Sequence, residues 1–205
     1  MKTTIVFFLL FLFWMQTAVA YEEPKYKVIE KYDDIEIRNY DSYIVAEVVL
    51  AGDFDNVSSD AFGILVSYIG GDNIKQQSIE MTTPVQQEEI ETSIEIEMTR
   101  PVEQEPVGDK YRVSFVMPAR FTLETLPKPK DKRVILRQVP AKKVVVVRYS
   151  GTWSTSNYQE HEAELIEFIK KKQLNVKGKP IWARYDPPFM PWFLRHNEIM
   201  IEVAD

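Results

Sequence analysis

The 205-residue chain has no cysteine and only two histidines, His161 and His196. The first absence excludes a disulfide framework, a thiolate zinc site, an iron–sulfur cluster, a cysteine nucleophile and a C-x-x-C-H haem attachment. The second leaves too few imidazoles for a multi-histidine cage, so no metal site made by the protein alone is expected. Glycine is scarce at seven residues, and none of them opens a phosphate-cradling loop. No Gly-x-Ser-x-Gly elbow marks a nucleophilic serine. Positive charge is in deficit: 25 Lys and Arg face 31 Asp and Glu, a formal charge of −6. Without a basic face, no nucleic-acid partner is expected. What remains is 45% hydrophobic and 27% charged, the composition of a globular chain of one domain or two small ones.

The first twenty residues differ from the rest. Lys2 is their only charge, Ile5 to Met15 are continuously apolar, and Gln16-Thr17-Ala18-Val19-Ala20 ends in small residues at −3 and −1. This is the pattern of a secretory signal peptide. The apolar run is too short to span a bilayer, which takes about 20 residues. Residues 1–20 therefore read as a signal peptide and 21–205 as a single domain without a membrane span. Periplasmic or secreted, it reads as a monomer, and losing Lys2 takes its charge to −7. With no disulfide, stability must come from its core.

Residues 25–50 are rich in β-formers, and residues 54–69 change period. Val57, Ala61, Ile64, Leu65 and Tyr68 fall on one face of a helix, which Gly70-Gly71 should end. Extended segments are expected at 78–85, 94–102 and 111–117, with a turn at Pro127 and Pro129. The order then recurs. Strands are expected at 134–139 and 144–149, where four successive valines suggest burial on both faces. A helix is expected from near Ser156, with Ser156 and Gln159 spaced as a capping box. Extended segments follow at 180–185 and 197–203. At a constant offset of 99, Ile35 meets Val134, Val45 meets Val144, Gly52 meets Gly151 and Phe54 meets Trp153. This suggests a duplicated strand–strand–helix–strand unit whose copies must pack together. Separately, Ile79-Glu80-Met81-Thr82-Thr83-Pro84-Val85 recurs as Ile96-Glu97-Met98-Thr99-Arg100-Pro101-Val102.

Chemistry-bearing residues are few. Residues 86–105 hold seven Glu and one Arg and read as a mobile acidic hairpin. His161 flanks the apolar arc of the second helix, and His196 sits just before the last strand. Both read first as structural residues. Glu80, Glu97 or His161 could serve acid–base catalysis, but only by residue type, so no enzyme is expected. The first helix is more informative. Phe62, Val66 and Ile69 form a second apolar row turned by about 120° from the first. One sheet cannot cover both rows. The second row fits a groove for a flat apolar ligand, with Met81, Met98 and Met117 as adaptable lining.

Several segments resemble the SOUL haem-binding family. They are Tyr68-Ile69-Gly70-Gly71-Asp72-Asn73, Ile79–Val85, Val116-Met117-Pro118, Thr122-Leu123-Glu124-Thr125-Leu126-Pro127 and Tyr149-Ser150-Gly151-Thr152-Trp153. The most specific is Tyr185-Asp186-Pro187-Pro188-Phe189-Met190-Pro191-Trp192-Phe193-Leu194-Arg195-His196-Asn197-Glu198. The resemblance implies an α+β fold of two pseudo-repeated halves. Each would be an antiparallel four-stranded sheet with a helix, and together they would form a distorted β-barrel similar to effector-binding domains. It also implies non-covalent binding of haem or another tetrapyrrole, for storage, transport or buffering, in a groove beside the first helix. Ser59, Phe62, Leu65, Val66, Ile69, Met81 and Met98 would line that groove. Some members carry an axial histidine where this chain has Asn39, which leaves His161 or His196 as candidate axial ligands. Other members carry a basic residue on the first helix where this chain has Ser59. Lys142, Lys143, Arg148, Arg184 or Arg195 would then meet the propionates. His196 stands where Arg is more usual. The alternative is a module for another small apolar ligand or a protein partner, without catalysis.

Overall fold

The computed structural model describes residues 21–75 and 93–204. The expected signal peptide, the extended segment 78–85 and Met81 lie outside the described residues. Along the chain run β1 (Tyr26–Tyr32), β2 (Ile35–Tyr40), β3 (Tyr43–Ala51), α1 (Phe54–Ile69) and β4 (Asn73–Ile74). Then come β5 (Val102–Val107), β6 (Lys110–Val116), β7 (Lys128–Pro129), β8 (Ile135–Val139) and β9 (Lys142–Tyr149). The rest is α2 (Thr155–Lys171), β10 (Ile181–Arg184), a 3₁₀ turn (Trp192–Leu194) and β11 (Asn197–Val203). Among the described residues, nine strands form one curled antiparallel sheet in the order β1-β2-β9-β11-β10-β5-β6-β3-β8, and β4 pairs with β7. Among the described residues no helix is long and apolar enough to cross a membrane.

Alternation within each strand assigns the two faces of the sheet. On β3, Ile44, Ala46, Val48 and Leu50 point to the core under α1. Tyr43, Val45, Glu47 and Val49 point the other way. On β9, Val145 and Val147 pack under α2, whereas Val144 and Val146 pack with Tyr40, Ile181, Tyr185 and Met200 on the opposite face. The valine run is thus buried on both faces, as its sequence suggests.

The two helices cover one face. In α1, Val57, Ala61, Leu65 and Tyr68 are buried in the core, and the Tyr68 hydroxyl donates to the Pro127 carbonyl (2.9 Å). The helix ends at Gly70, and Gly71 takes the left-handed φ of 109° that a side chain disfavours. Helix α2 starts two residues earlier than the Ser156 box suggests. Ser154 is its N-cap and accepts from the Asn157 N–H. The acidic segment 86–105 also differs from expectation over its last residues. Val102–Glu105 belong to β5, in the middle of the sheet, because Gln104 and Glu103 find partners there. Gln104 donates to the Phe54 carbonyl (3.0 Å), and the buried Glu103 carboxylate accepts from the Tyr43 hydroxyl (3.0 Å).

The face away from the helices carries buried charge. Arg38 on β2 makes a bidentate pair with Glu198 on β11, both contacts 2.9 Å, reaching across β9. Glu198 also accepts from the Tyr185 hydroxyl (2.7 Å) and meets His196 Nε2 (2.9 Å). Arg38 further bonds Glu36 (2.8 Å) and the Tyr40 hydroxyl (3.1 Å), under the ring of Tyr26. A second cluster joins Glu47 to Arg137 (2.7 Å) and Arg112 (3.2 Å). Burial pushes the Glu198 carboxyl up. The His196 and Arg38 hydrogen bonds and the Arg38 charge outweigh it and bring the group down to about 2.

Two predictions follow from these placements. Because the folded Glu198 value lies below the ordinary 4.5, its contribution is complete above that value and is lost as pH falls toward 2. Glu198→Gln should cost about 3 kcal/mol or more at pH 7 by stranding Arg38. It should also flatten the acid limb of stability between pH 4.5 and 2, read by urea unfolding. Leu65→Ala, which empties a fully buried site, should cost about 2–5 kcal/mol. Val66→Ala, on the exposed flank, should cost about 1 kcal/mol or less, read by thermal unfolding.

Candidate functional site

One open cavity of about 380 Å³ runs beside α1, lined by Ser58, Ser59, Phe62, Val102, Trp153, Arg184 and Pro188. Helix α1 supplies Ser58, Ser59 and Phe62 from the flank that the sheet does not cover. Phe62 and Val66 remain 38% and 37% exposed. The Phe62 ring is held edge-on against Phe115, 5.4 Å between centroids. Val102 opens β5 and Arg184 ends β10, and these strands are neighbours in the sheet. Both residues sit on the helix-covered face.

The polar end of the groove is built from the Arg184 guanidinium and the Trp153 indole, with Arg195 behind the indole. Arg184 lies over Trp153 (5.1 Å) and Phe54 (5.4 Å). It donates to the Ser58 hydroxyl and to Gln104 Oε1 (3.4 Å). Arg195 also lies over Trp153, at 4.3 Å. Contacts of this kind favour a cation near the ring face. Trp153 Nε1 donates to Asn197 Oδ1 (2.8 Å), which fixes the ring. The turn that delivers Trp153 depends on Gly151, with φ 126°. A Cβ there would come within 2.6 Å of the Asn157 side chain, which donates to the Thr152 carbonyl (2.9 Å). Beyond Arg184, the segment from Tyr185 to His196 closes one end with Pro188. The wall is therefore apolar on its α1 side and cationic at the Trp153 end.

The structure divides the residues singled out in the sequence. Ser59, Phe62 and Arg184 come together in the groove, and Val66 is exposed one turn further along α1. Arg195 stands behind Trp153 with its guanidinium turned onto the Met190 and Pro188 carbonyls (2.9 and 2.7 Å). Leu65 and Ile69 lie in the core rather than in the groove, because they fall on the sheet-facing side of α1. Met98 packs half-buried against the same core, and Met81 is outside the described residues. Lys142 and Lys143 line a different cavity of about 310 Å³, with Asn39, Tyr40 and Lys177. Arg148 is exposed on β9. Neither histidine lines the groove. His161 stacks on Tyr149 (4.4 Å) and bonds Glu164 (3.0 Å). His196 stacks on Tyr185 (4.0 Å) and bonds Glu198 on the opposite face of the sheet. Alternation separates them: Arg195 and Asn197 reach Trp153, while His196 and Glu198 turn away.

Val102, Ser58, Pro188 and the lining role of Trp153 escaped the sequence. Only the Gly-x-Trp spacing at Gly151 hinted at a fixed indole. The pairing of β5 with β10 that brings Val102 to Arg184 is a long-range contact without a local signal.

Similar folds occur in solved structures. The EcmrR C-terminal domain matches with a TM-score of 0.59 and 10% identity, over 88% of this chain and 98% of that one. An uncharacterized conserved protein from Listeria innocua matches with a TM-score of 0.56 and 16% identity, over 83% and 92%. A hydrolase from Listeria innocua matches with a TM-score of 0.52 and 14% identity, over 86% and 94%. At these identities the likeness is one of fold. No curated protein matches the chain. The sequence pattern of the SOUL heme-binding proteins matches residues 21–202, which contain both helices, nearly all of the sheet and every wall of the groove. The chain belongs to the SOUL heme-binding protein family.

Proposed function

We propose that the groove beside α1 binds haem or another flat tetrapyrrole non-covalently and that the protein stores, carries or buffers it. The observation that carries this reading is the pairing of an exposed apolar helix flank with a guanidinium–indole end in one cavity. Phe62, Val66 and Val102 would hold the macrocycle by apolar contact, and Arg184 beside Trp153 would meet a carboxylate. A mostly apolar cleft with few polar groups is the usual form of a small-molecule site. Haem would bring its own redox chemistry; the chain's part is to hold and shield it. Both histidines are engaged elsewhere, so binding would not depend on iron ligation. The same lining would accept another apolar carboxylate, which is the second reading.

Two further expectations belong to this proposal. Residues 1–20 would be removed on export, leaving the domain in the periplasm or outside the cell. The domain would also descend from a duplication. Read with β2 matched to β8, β3 to β9, β5 to β10 and β6 to β11, the strand order from β2 to β8 is the same from either end. Pairing registers exchange under the offset of 99. Val45 faces Arg137 across β3–β8, and Arg38 faces Val144 across β2–β9. These matches support two pseudo-repeated halves within the single sheet.

Titration with haemin tests the reading. The chain of residues 21–205 should shift the Soret band saturably, and Phe62→Asp should weaken binding about tenfold or more by placing a charge against the macrocycle. Arg184→Met should weaken it by a smaller factor. Replacing both histidines by Ala should leave it unchanged, and iron-free protoporphyrin should bind as tightly as haemin. Absence of a saturable shift, or indifference to Phe62→Asp, contradicts the proposal.

A further inference from the structure

The loop between β10 and β11 carries a feature that the groove does not use. Phe189, Trp192, Phe193 and Leu194 are 86%, 58%, 58% and 62% exposed. They follow one another at the tip of Pro187-Pro188-Phe189-Met190-Pro191-Trp192-Phe193-Leu194. No acidic residue occurs from Pro187 to Arg195 in an otherwise acidic chain. The one cation, Arg195, has its guanidinium turned back onto the loop's own carbonyls.

Much of the backbone of this loop is paired within the protein. Pro187, Pro188 and Pro191 have no N–H to place. The Pro187 carbonyl accepts from the Met190 N–H (3.0 Å) and the Pro191 carbonyl from the Leu194 N–H (2.9 Å). The Pro188 and Met190 carbonyls accept from Arg195 (2.7 and 2.9 Å). The Trp192 carbonyl accepts from the Gly151 N–H (3.0 Å). An exposed loop in water has no need of such accounting, because solvent serves every carbonyl. Pairing of this kind lowers the cost of bringing a segment against a lipid surface.

From this we infer that residues 187–194 form a peripheral docking site for a lipid bilayer. The aromatic side chains would enter the headgroup boundary while the sheet stays in water. Trp and Phe suit that depth, one end apolar and the other polar for Trp. The uncharged tip fits a zwitterionic surface, where apolar burial rather than counter-charge supplies the attraction. The loop is held at both ends: the His196 N–H donates to Asp186 (2.6 Å), and Arg100 pairs with Asp186 (3.8 Å). Little ordering is left to offset the burial. The inference is independent of what the groove binds.

The sheet and both helices lie within residues 26–203, so a chain of residues 21–205 keeps them and removes the apolar leader from the assay. That chain should co-sediment with phosphatidylcholine vesicles, and bromine-labelled lipid should quench its tryptophan fluorescence. Phe189→Ser and Leu194→Ser should each weaken partitioning about tenfold. Thermal unfolding should be unchanged, because both side chains are exposed. Trp192→Tyr should remove most of the quenching. Three results would overturn the inference: no sedimentation at millimolar lipid, binding only to anionic vesicles with loss in high salt, or partitioning indifferent to Phe189→Ser. Concentration-dependent self-association that Phe189→Ser abolishes would overturn it too, by assigning the tip to a second copy of the chain.

Discussion

Buried charge on the face of the sheet away from the helices must be paired, and the pairing of Arg38 with Glu198 is the contact on which the arrangement depends. The two residues belong to strands on either side of β9, so their bond holds three strands in register. Tyr185, Tyr40 and His196 complete the set of donors and acceptors around it. A bidentate guanidinium–carboxylate pair has one good geometry. An apolar replacement would tolerate sliding, and a slip of one residue would exchange the two faces of every strand. Glu47 with Arg137 and Arg112 acts similarly near the other end of the sheet. In a chain without disulfides, these clusters specify register while the apolar cores supply most of the burial energy.

Fixing the register fixes the groove. Val102 and Arg184 face α1 only because β5 pairs with β10 in the observed alignment. Asn197 reaches the Trp153 indole only because Glu198 is turned to the other side. The same alternation keeps His196 in the charged network and out of the groove. The charged network and the apolar groove therefore lie on opposite faces of one sheet. The part of α1 that the sheet cannot cover lines the proposed site.

Much of this was legible in the sequence where the signal was periodic. The 54–69 helix was readable from its i, i+4, i+7 row, and its second row marked Phe62 and Val66 as outside the core. The valine run announced burial on both faces. Ile69 misled because an apolar residue at the end of a row is claimed by whichever neighbour arrives, here the core cluster that also holds Ile96 and Leu126. Leu65 was placed in two roles at once, and packing allows only one. The lysines at 142 and 143 were chosen for charge alone, and charge does not say which cavity a strand end faces. The acidic run ending at Glu105 looked solvated because composition cannot reveal that Tyr43 waits across the sheet for Glu103. Contacts between residues distant in the chain decided every one of these cases.

The flank of α1 with Trp153 and Arg184 is the proposed seat of a flat apolar ligand. Backbone amide chemical-shift mapping of the labelled protein with iron-free protoporphyrin is the decisive measurement. Perturbations should cluster at Ser58–Val66, Val102, Trp153 and Arg184, with the amides around Arg38 and Glu198 unmoved. Perturbations centred on Lys142, Lys143 and Asn39, or on His196 and Glu198, would place the ligand away from this groove and contradict the proposal.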